Sequence, residues 1–363
     1  MVSVPECFSE SYAEARPKFC SAAAAAGGEL RSWLNPCGLG PTGERLFLDT
    51  ALFGPRDAQN MLVLIAGTHG VEGHCGSGAE IAWLRQGGPA KLPKDTGALL
   101  IHALNPYGFA WTRRVNEDNV DLNRNFVEHD KAYPKNEGYL ALAEAILPQH
   151  WDDASRAETE RVFAAFAQQH GAFGLQGAIS GGQYTHPDGI FFGGNKATWS
   201  NRTVRTIARE LLSRARRVAV IDFHTGLGPF GHGELICAVP PSAKSFARAK
   251  AWYGDELTSP EGGTSASAVV VGIMTDAFAQ ELPDAEVTSI AIEYGTYTVP
   301  EVLNAVRADN WLHARGNLAS EQGRALKADM KERFFPSGDK WREMVWTRAD
   351  QTIGWALKGL RSG

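Results

Sequence analysis

Short, wholly apolar runs alternate with amphipathic segments along most of this 363-residue sequence. An apolar run of about four to eight residues without polar alternation is typical of a strand buried on both faces between layers of helices. The sequence therefore predicts a three-layer α/β/α sandwich around a twisted mixed sheet. The predicted strands are 61–66, 98–104, 217–222, 234–239, 268–272 and 287–293, and the predicted helices are 77–86, 137–148, 154–170, 196–214, 242–256 and 275–281.

The segments between and after these elements complete the outline. Residues 174–195 are rich in glycine and poor in helix formers, which predicts a long ordered loop of the kind that is usually functional. After residue 299 the pattern is helical only. Because no low-complexity linker or repeat divides the sequence, we expect one domain over 1–363, with a core of about 45–300 and a helical C-terminal extension of about 300–363.

Charge and cysteine content narrow the classes of partner. Lys and Arg total 36 and Asp and Glu 41, a formal net charge of −5, with both signs mixed along the chain. This gives no electrostatic footprint for nucleic acid or an anionic membrane, so a small molecule or short peptide is the expected partner. The five cysteines form no C-x-x-C pair, which favours reduced thiols. With no recognisable secretory signal and no membrane-length apolar run, we expect a cytoplasmic protein, while the oligomeric state stays open.

The first strong strand ends in charged residues. In VLIAGTHGVEGHCGSGAE, residues 63–80, an apolar strand gives way to glycines, His69 and Glu72. Ligands of open α/β sheets bind beyond the carboxyl ends of the strands, so both side chains fall where a site is expected. Their i, i+3 spacing lets one turn of backbone offer an imidazole nitrogen and a carboxylate oxygen to one cation. For this motif alone, an ordinary hydrogen-bonded turn is the alternative.

A second strand repeats the pattern. The stretch VAVIDFHTGLG, residues 218–228, ends in His224 and a loop that contains glycine. This histidine brings the protein ligands to three, and a fourth position left for water is typical of catalytic rather than structural zinc. Asp121 and Asp222 are candidates to accept the outer imidazole N–H groups and fix their tautomers. The sequence does not assign either aspartate to a particular histidine.

Five motifs occur in a fixed order: HGVEG, NPYGF, VDLNRNF, IDFHTG and SIAIEYGTY. Together they resemble the zinc carboxypeptidase superfamily, which also includes succinylglutamate desuccinylase and aspartoacylase, and they are most similar to an uncharacterised bacterial branch of it. The resemblance spans about residues 60–300. It implies a zinc-carboxypeptidase-like fold and one Zn²⁺ ion held by His69, Glu72 and His224.

The resemblance also implies a catalytic glutamate. Glu293, at the end of the strand VTSIAIE, matches the family's general base, which accepts a proton from water and passes it to the leaving nitrogen. A carboxylate that ends an apolar strand is costly to bury unless it is used or paired, so its position points the same way. A surface glutamate in a salt bridge is the alternative.

The arginine-rich segment TRRVNEDNVDLNRNF supplies the remaining family positions. Arg113 is the better match to the arginine that stabilises the oxyanion, and Arg114 is the alternative. Asn123 and Arg124 match the pair that holds the substrate carboxylate, a task suited to a guanidinium with an amide beside it. Asp121 resembles the family's aspartate behind a zinc ligand. Either arginine role could instead be an ordinary surface ion pair.

The sequence departs from the family at two points. Digestive-type enzymes carry a tyrosine on a loop before the catalytic glutamate, whereas residues 268–280 contain none, and Tyr184 and Tyr253 are the candidate substitutes. Aspartoacylase-like enzymes carry a β-rich C-terminal domain, whereas this C-terminal segment is helical in pattern. His186 and His232 lie in predicted loops and are interpreted as hydrogen-bonding residues rather than further ligands.

These observations predict a zinc-dependent hydrolase that cleaves an amide bond next to a free carboxylate. The first hypothesis is a carboxypeptidase-like enzyme that acts on a small peptide or an amidated amino acid. The second is an N-acyl amino acid deacylase, because the same residues serve both reactions. A non-catalytic module that binds zinc or a ligand is the third, and the presence of all the family's catalytic positions argues against it.

Overall fold

A computed structural model describes residues 3–362 and contains an eight-stranded mixed sheet. The strands are β1 (Glu29–Leu39), β2 (Arg45–Phe53), β3 (Asn60–Ile65), β4 (Thr96–His102), β5 (Arg217–Thr225), β6 (Gly233–Ile236), β7 (Leu257–Thr258) and β8 (Glu286–Tyr294). Their order across the sheet is β1-β2-β4-β3-β5-β8-β6-β7. The four central strands β4, β3, β5 and β8 run parallel, so their carboxyl ends meet at one edge of the sheet.

Helices cover the sheet. They are α1 (Tyr12–Ala25), α2 (Gly73–Arg85), α3 (Pro106–Ala110), α4 (Glu137–Ile146), α5 (Asp153–Ser180), α6 (Trp199–Leu212), α7 (Lys244–Tyr253), α8 (Asp276–Glu281), α9 (Val299–Arg315), α10 (Glu321–Phe334) and α11 (Asp339–Arg361). Short 3-10 turns lie at Pro5–Cys7, Pro89–Lys91, Leu122–Arg124 and Gly254–Glu256. Over residues 3–362, none of the helices combines the length and the apolar character that a membrane span needs.

Successive residues of the central strands face opposite cores. Leu62 and Leu64 of β3 join an apolar cluster with α1, α2, α7 and α11, whereas Val63 and Ile65 join a second cluster with α6 and α8. Both faces of the sheet are therefore covered, which is why these strands show no polar alternation in the sequence. The predicted three-layer α/β/α sandwich with a mixed sheet is confirmed.

The edge strands and one loop differ from the sequence prediction. Residues 268–272 were predicted as a strand, but they form an extended loop in which Val269 and Val271 are exposed. Strands β1 and β2 were not predicted, and they form an antiparallel extension of the sheet beyond β4. Most of β1 is exposed, so it lacks the continuous apolar run that identifies the buried strands.

Helix α5 is longer than predicted. It continues past the predicted end at 170 through Gly171, whose φ of +76° interrupts the helix, to Ser180. The first part of the predicted glycine-rich loop 174–195 is therefore helical, which corrects that prediction. The remainder is irregular, with an isolated bridge between Gln183 and Phe192.

The C-terminal extension is helical, as predicted, and it packs onto the sheet. Helix α9 begins with a capping box in which Thr298 and Glu301 satisfy each other's backbone N–H groups. Trp341 and Val345 of α11 are buried in the apolar cluster that also contains α2 and α7. The indole N–H of Trp341 donates to the carbonyl of Gly295 at 3.0 Å, directly after β8.

Candidate metal and active site

Three parallel strands bring the candidate residues to one edge of the sheet. Strand β3 ends at Ile65, and the turn that follows carries His69 and Glu72 to the start of α2. His224 lies near the end of β5, and Glu293 of β8 lies directly beside it in the sheet register. Residues that are far apart in the sequence therefore meet because their strands are neighbours.

The turn between β3 and α2 depends on glycine. Gly67 has a φ of +74°, which L side chains rarely adopt. A Cβ on Gly70 would lie 2.0 Å from the carbonyl carbon of Gly108 in α3, so only glycine allows this contact. The N–H of Gly70 also donates to the carbonyl of Arg114 at 3.1 Å. The turn that carries His69 is thereby fixed to the arginine segment.

The side chains of His69, Glu72 and His224 converge on one point. One ligand atom from each lies within 4.8 Å of the others, and all three residues are buried. The two Nδ1 atoms are 3.2 Å apart, and Glu72 places one carboxylate oxygen 3.0 Å from the Nδ1 of His69 and the other 2.8 Å from the Nδ1 of His224. Two imidazoles and one carboxylate are the ligand set of many catalytic zinc sites.

The outer nitrogen of each imidazole lies against a carboxylate. The Nε2 of His69 is 3.1 Å from Asp121, and the Nε2 of His224 is 2.7 Å from Asp222. For His224 this pairing assigns the N–H to Nε2 and leaves the lone pair of Nδ1 facing Glu72. A lone pair aimed at a carboxylate is repulsive, so a cation belongs between them, either a proton on Nδ1 or a metal ion. The residues present therefore fit a metal ion.

Opposite charges keep the cluster ionised despite its burial. Burial raises the pKa of Glu72, but His69 and His224 outweigh it and hold that pKa well below its ordinary value. Burial lowers the pKa of His224, but Asp222 and then Glu72 outweigh it and hold that pKa well above its ordinary value. Such strongly perturbed buried groups are typical of functional sites.

Glu293 lies beside this cluster and lines the same cavity. The backbone N–H of Leu227 donates to its carboxylate at 3.1 Å. Burial, and then the charge of Glu72, raise the pKa of Glu293 to about 8. A carboxyl whose pKa is close to neutral can both accept and release a proton, as a general base and acid must.

Arg113 and Arg114 point in different directions. Arg113 donates from Nε to Asp309 at 3.1 Å, and it is not among the described residues that line the cavity. Arg114 lines the cavity and donates to Glu72 at 3.0 Å and to Asp121 at 2.9 Å. The structure therefore places Arg114, and not Arg113, at the cavity, and the oxyanion role itself stays a prediction.

Asn123 and Arg124 lie in the Leu122–Arg124 turn and line the cavity. The side-chain oxygen of Asn123 accepts the N–H of Met274 at 2.9 Å. Its amide nitrogen has no acceptor among residues 3–362. The Nε of Arg124 is buried and likewise has no partner in the described part of the chain. The amide of Asn123 is therefore available for a substrate carboxylate, and Arg124 adds a positive charge whose Nη atoms donate to the carbonyls of Asn123 and Ser180.

The other sequence candidates are engaged elsewhere. The hydroxyl of Tyr184 donates to the carbonyl of Arg124 at 2.6 Å, and Tyr253 is buried in an apolar core. The ring of His186 lies 2.9 Å from the hydroxyl of Thr185, and His232 is exposed. Neither tyrosine substitutes for the missing family tyrosine, and neither histidine adds a ligand.

A cavity of about 700 Å³ opens at the cluster. His69, Arg114, Arg124, His224 and Glu293 form its polar end, and most of the remaining lining is apolar side chains of α5, α9 and the loop 259–275. Sequence reasoning missed this lining because apolar residues at helical spacing also fit an ordinary core. The valine run at 268–272 was the available signal, and it was interpreted as a strand.

A family model described as "Protein of unknown function (DUF2817)" matches residues 8–348. The chain belongs to this family. No curated protein matches the sequence.

Solved structures share the fold. Thrombin activatable fibrinolysis inhibitor matches with a TM-score of 0.51 and 12% identity, over 97% of this chain and 75% of that one. Carboxypeptidase A from Helicoverpa armigera gives 0.43 and 14%, over 89% and 73%. An aspartoacylase family protein from Mesorhizobium loti gives 0.36 and 15%, over 81% and 68%. The zinc-carboxypeptidase-like fold that the resemblance implied is confirmed.

Proposed function

We propose that this protein is a zinc-dependent hydrolase that cleaves an amide bond next to a free carboxylate. The observation that carries the proposal is the convergence of His69, Glu72 and His224 beside the carboxyl of Glu293. The ligand set, the neighbouring acid of raised pKa and the cavity together meet the requirements of metal-assisted hydrolysis. A carboxypeptidase-like enzyme that acts on a small peptide or an amidated amino acid is one form of this function.

Each residue has a defined task in this reaction. Zinc, when bound by the three ligands, supplies a Lewis acid that polarises the carbonyl and activates water. Glu293 takes a proton from the attacking water and gives it to the leaving nitrogen. Arg114 donates to the negative charge that develops on the carbonyl oxygen. Arg124 and Asn123 hold the free carboxylate of the substrate with the donors described above.

The substitution Glu293→Gln tests the assigned base. In zinc-loaded protein, we expect turnover of a panel of dipeptides and N-acyl amino acids to fall by about 10²–10⁴-fold while the zinc content is unchanged. Glu286→Gln is the matched control, because Glu286 is exposed at the start of the same strand. A metal-replete Glu293→Gln protein with near-normal rates would remove Glu293 from the mechanism.

Metal analysis tests the ligand set in the same preparations. His69→Ala should lower the zinc-to-protein ratio, whereas His232→Ala, which changes an exposed loop histidine, should not. An unchanged ratio in His69→Ala would exclude this residue as a ligand. Loss of zinc in both variants would show that the assay reports general instability.

An N-acyl amino acid deacylase is the second candidate. The specific observation in its favour is the apolar character of most of the cavity beyond the cluster. Hydrolysis of dipeptides alone would support the carboxypeptidase-like form, and hydrolysis of N-acyl amino acids alone would support the deacylase. The residues named above fit both activities. The substrate panel is therefore needed to decide between the carboxypeptidase-like form and the deacylase.

A further inference from the structure

Helices α5 and α9 both contribute apolar side chains to the lining of the cavity. We call this the α5–α9 wall. It consists of the cavity-lining side chains Phe163, Phe173 and Leu175 of α5 and Val299, Val302 and Leu303 of α9.

The α5–α9 wall is continuous with the metal end of the cavity. Gly226 follows His224 by two residues, and a Cβ at that position would meet Val302 at 3.4 Å and Phe334 at 3.2 Å. The hydroxyl of Thr225 donates to the carbonyl of Phe334 at 2.8 Å. The apolar side chains therefore begin directly beside the candidate zinc ligands.

The donors for the substrate carboxylate lie in the same cavity, next to the C-terminal end of α5. Asn123 is fixed to the backbone of Met274, and Arg124 donates to the carbonyl of Ser180. Neither contact involves α9. In a substrate whose carboxylate occupies these donors and whose amide lies at the metal cluster, the acyl group extends on the far side of the amide. The α5–α9 wall is an apolar surface of the same cavity that can contact this acyl group.

The charges near this wall disfavour an acidic acyl group. Arg307 also lines the cavity, but its guanidinium is used, donating to the carbonyl of Ile146 at 3.1 Å and to Asn304 at 2.8 Å. The other charged side chains near the wall are Glu160 and Glu261, both exposed. Arg307 is therefore the cation that lines this part of the cavity, and each nitrogen of its guanidinium already donates to a neutral group of the protein.

Apolar side chains are also exposed at the cavity. Phe173 is 83% exposed, Val269 is 55% exposed and Val299 is 49% exposed, and all three line the cavity. They come from α5, from the loop before α8 and from α9, so the apolar surface surrounds the opening rather than one side of it. An exposed apolar surface continuous with a site marks a place where an apolar ligand is buried.

We infer that the α5–α9 wall binds an apolar acyl chain, so that the substrate is an amino acid with a free carboxylate and a medium-length or long N-acyl group. The cavity of about 700 Å³ lies in the upper part of the usual range of about 300–1,000 Å³ for small-molecule sites. The inference rests on the proposed function. Water adds to the acyl carbon, the C–N bond breaks and a proton passes to nitrogen, which gives a carboxylic acid and the free amino acid.

A chain-length series tests the inference. Zinc-loaded protein is assayed with N-acetyl-, N-butanoyl-, N-hexanoyl-, N-octanoyl- and N-decanoyl-L-leucine. Each buried methylene is expected to raise kcat/KM about fourfold until the cavity is filled, so N-decanoyl-leucine should exceed N-acetyl-leucine by at least about a hundredfold. Turnover that is flat or falls with chain length overturns the inference and leaves the proposed hydrolase intact.

Two matched pairs test the chemistry of the acyl group. N-succinyl-leucine has the chain length of N-butanoyl-leucine but a terminal carboxylate, and we expect at least about tenfold slower turnover because the wall is apolar and the nitrogens of Arg307 already donate to protein groups. Leucyl-leucine differs from N-(4-methylpentanoyl)-leucine by its α-amino group, and we expect it to be the poorer substrate. A preference for the succinyl compound or the dipeptide overturns the inference.

Two variants and a binding measurement test the acyl site further, and the binding measurement does not depend on turnover. Phe173→Ser changes an exposed side chain and should lower the ratio of kcat/KM for N-decanoyl-leucine over N-acetyl-leucine by about tenfold. Phe230→Ser, at an exposed phenylalanine away from the cavity lining, should leave that ratio unchanged.

Calorimetry with Glu293→Gln protein should show at least about tenfold tighter binding of N-decanoyl-leucine than of N-acetyl-leucine. If nothing is hydrolysed but this binding is seen, the proposed function fails and the acyl site stands; equal binding overturns the acyl site.

Discussion

Two neighbouring arginines serve two different buried networks. Arg113 donates to Asp309 at 3.1 Å and to Asn119 at 3.0 Å, and the other oxygen of Asp309 accepts from Lys327 at 2.5 Å. This network is closed, because Asp309 lies between two cations and none of these residues lines the cavity at the metal cluster. It ties the segment before the site to α9 and α10.

Arg114 belongs to an open network. It bonds to Glu72 and Asp121, and its guanidinium also lies 2.8 Å from the Nε2 of His69. These groups face the cavity, where the cluster fits a cation and a substrate. The difference teaches that burial and ion pairing alone do not identify a functional arginine. The distinguishing property is whether the partners converge on accessible space.

Opening the closed network should destabilise the folded protein. Arg113→Met removes one of the two cations that bind the buried Asp309 and leaves Lys327 as its partner, and losing a hydrogen bond to a charged group typically costs about 1.5–3 kcal/mol of the free energy of unfolding. Urea denaturation measures this loss. The control Arg56→Met removes an exposed ion pair and should leave the denaturation midpoint unchanged. A normal midpoint in Arg113→Met would contradict the structural role of the closed network.

The neighbouring substitution should also act on the reaction. Arg114→Met removes the donor to the developing oxyanion, and we expect turnover to fall by about 10²–10³-fold, equivalent to about 2.7–4 kcal/mol. The denaturation midpoint should fall in this variant too, since Arg114 pairs with two buried carboxylates, so the loss of turnover is what distinguishes the two variants. Steady-state kinetics with zinc analysis measures both variants. A reversed pattern, with Arg113→Met the slower enzyme, would return the oxyanion role to Arg113.

The sequence was sufficient for the features that depend on one strand at a time. His69, Glu72, His224 and Glu293 each follow an apolar strand, and parallel strands bring such ends to a common edge. The choice between Arg113 and Arg114 could not be made from single strands. It depends on Asp309, which lies on α9 almost two hundred positions later and has no local signal. Long-range pairing of this type cannot be obtained from spacing.

The same limit explains the wrong strand at 268–272. A run of valines is apolar whether it is buried in a sheet or lines a cavity, and composition does not distinguish the two. In the structure Val269 and Val270 line the cavity. Strand β1 was missed for the opposite reason, because it is an exposed edge strand whose place depends on pairing with β2 rather than on burial.

Glu80 contrasts with the paired charges of both arginine networks, because it is a buried carboxyl without a hydrogen-bond partner among the described residues. Both of its oxygens lack a hydrogen bond within the described residues, and burial raises its pKa well above the ordinary value. The folded state therefore holds a proton that the unfolded state releases above about pH 4.3. Stability should fall as the pH rises from about 5, by up to about 1.4 kcal/mol for each pH unit.

Urea denaturation at several pH values measures this effect. Relative to wild type, Glu80→Gln should become steadily more stable between about pH 5 and pH 8, because it has no proton to lose. Glu80→Met is the second variant, since it removes the carboxyl without adding a buried amide. Wild type and both variants with parallel pH profiles would show that the carboxyl is not protonated in the folded protein.

Asp309 should have the smallest effect on how the free energy of unfolding depends on pH, and the sign of its effect should be opposite to that of Glu80. Burial raises the pKa of Asp309, but Lys327 and then Arg113 outweigh it and hold that pKa below its ordinary value. The stabilisation from this group is complete above the unfolded pKa of about 3.9 and is lost as the pH falls through the lower folded value. The free energy of unfolding of wild type relative to Asp309→Asn should therefore decrease only in acid, below about pH 5. A difference that grew toward alkaline pH would mean that Asp309 is protonated like Glu80, and the closed network would lose the charge on which it depends.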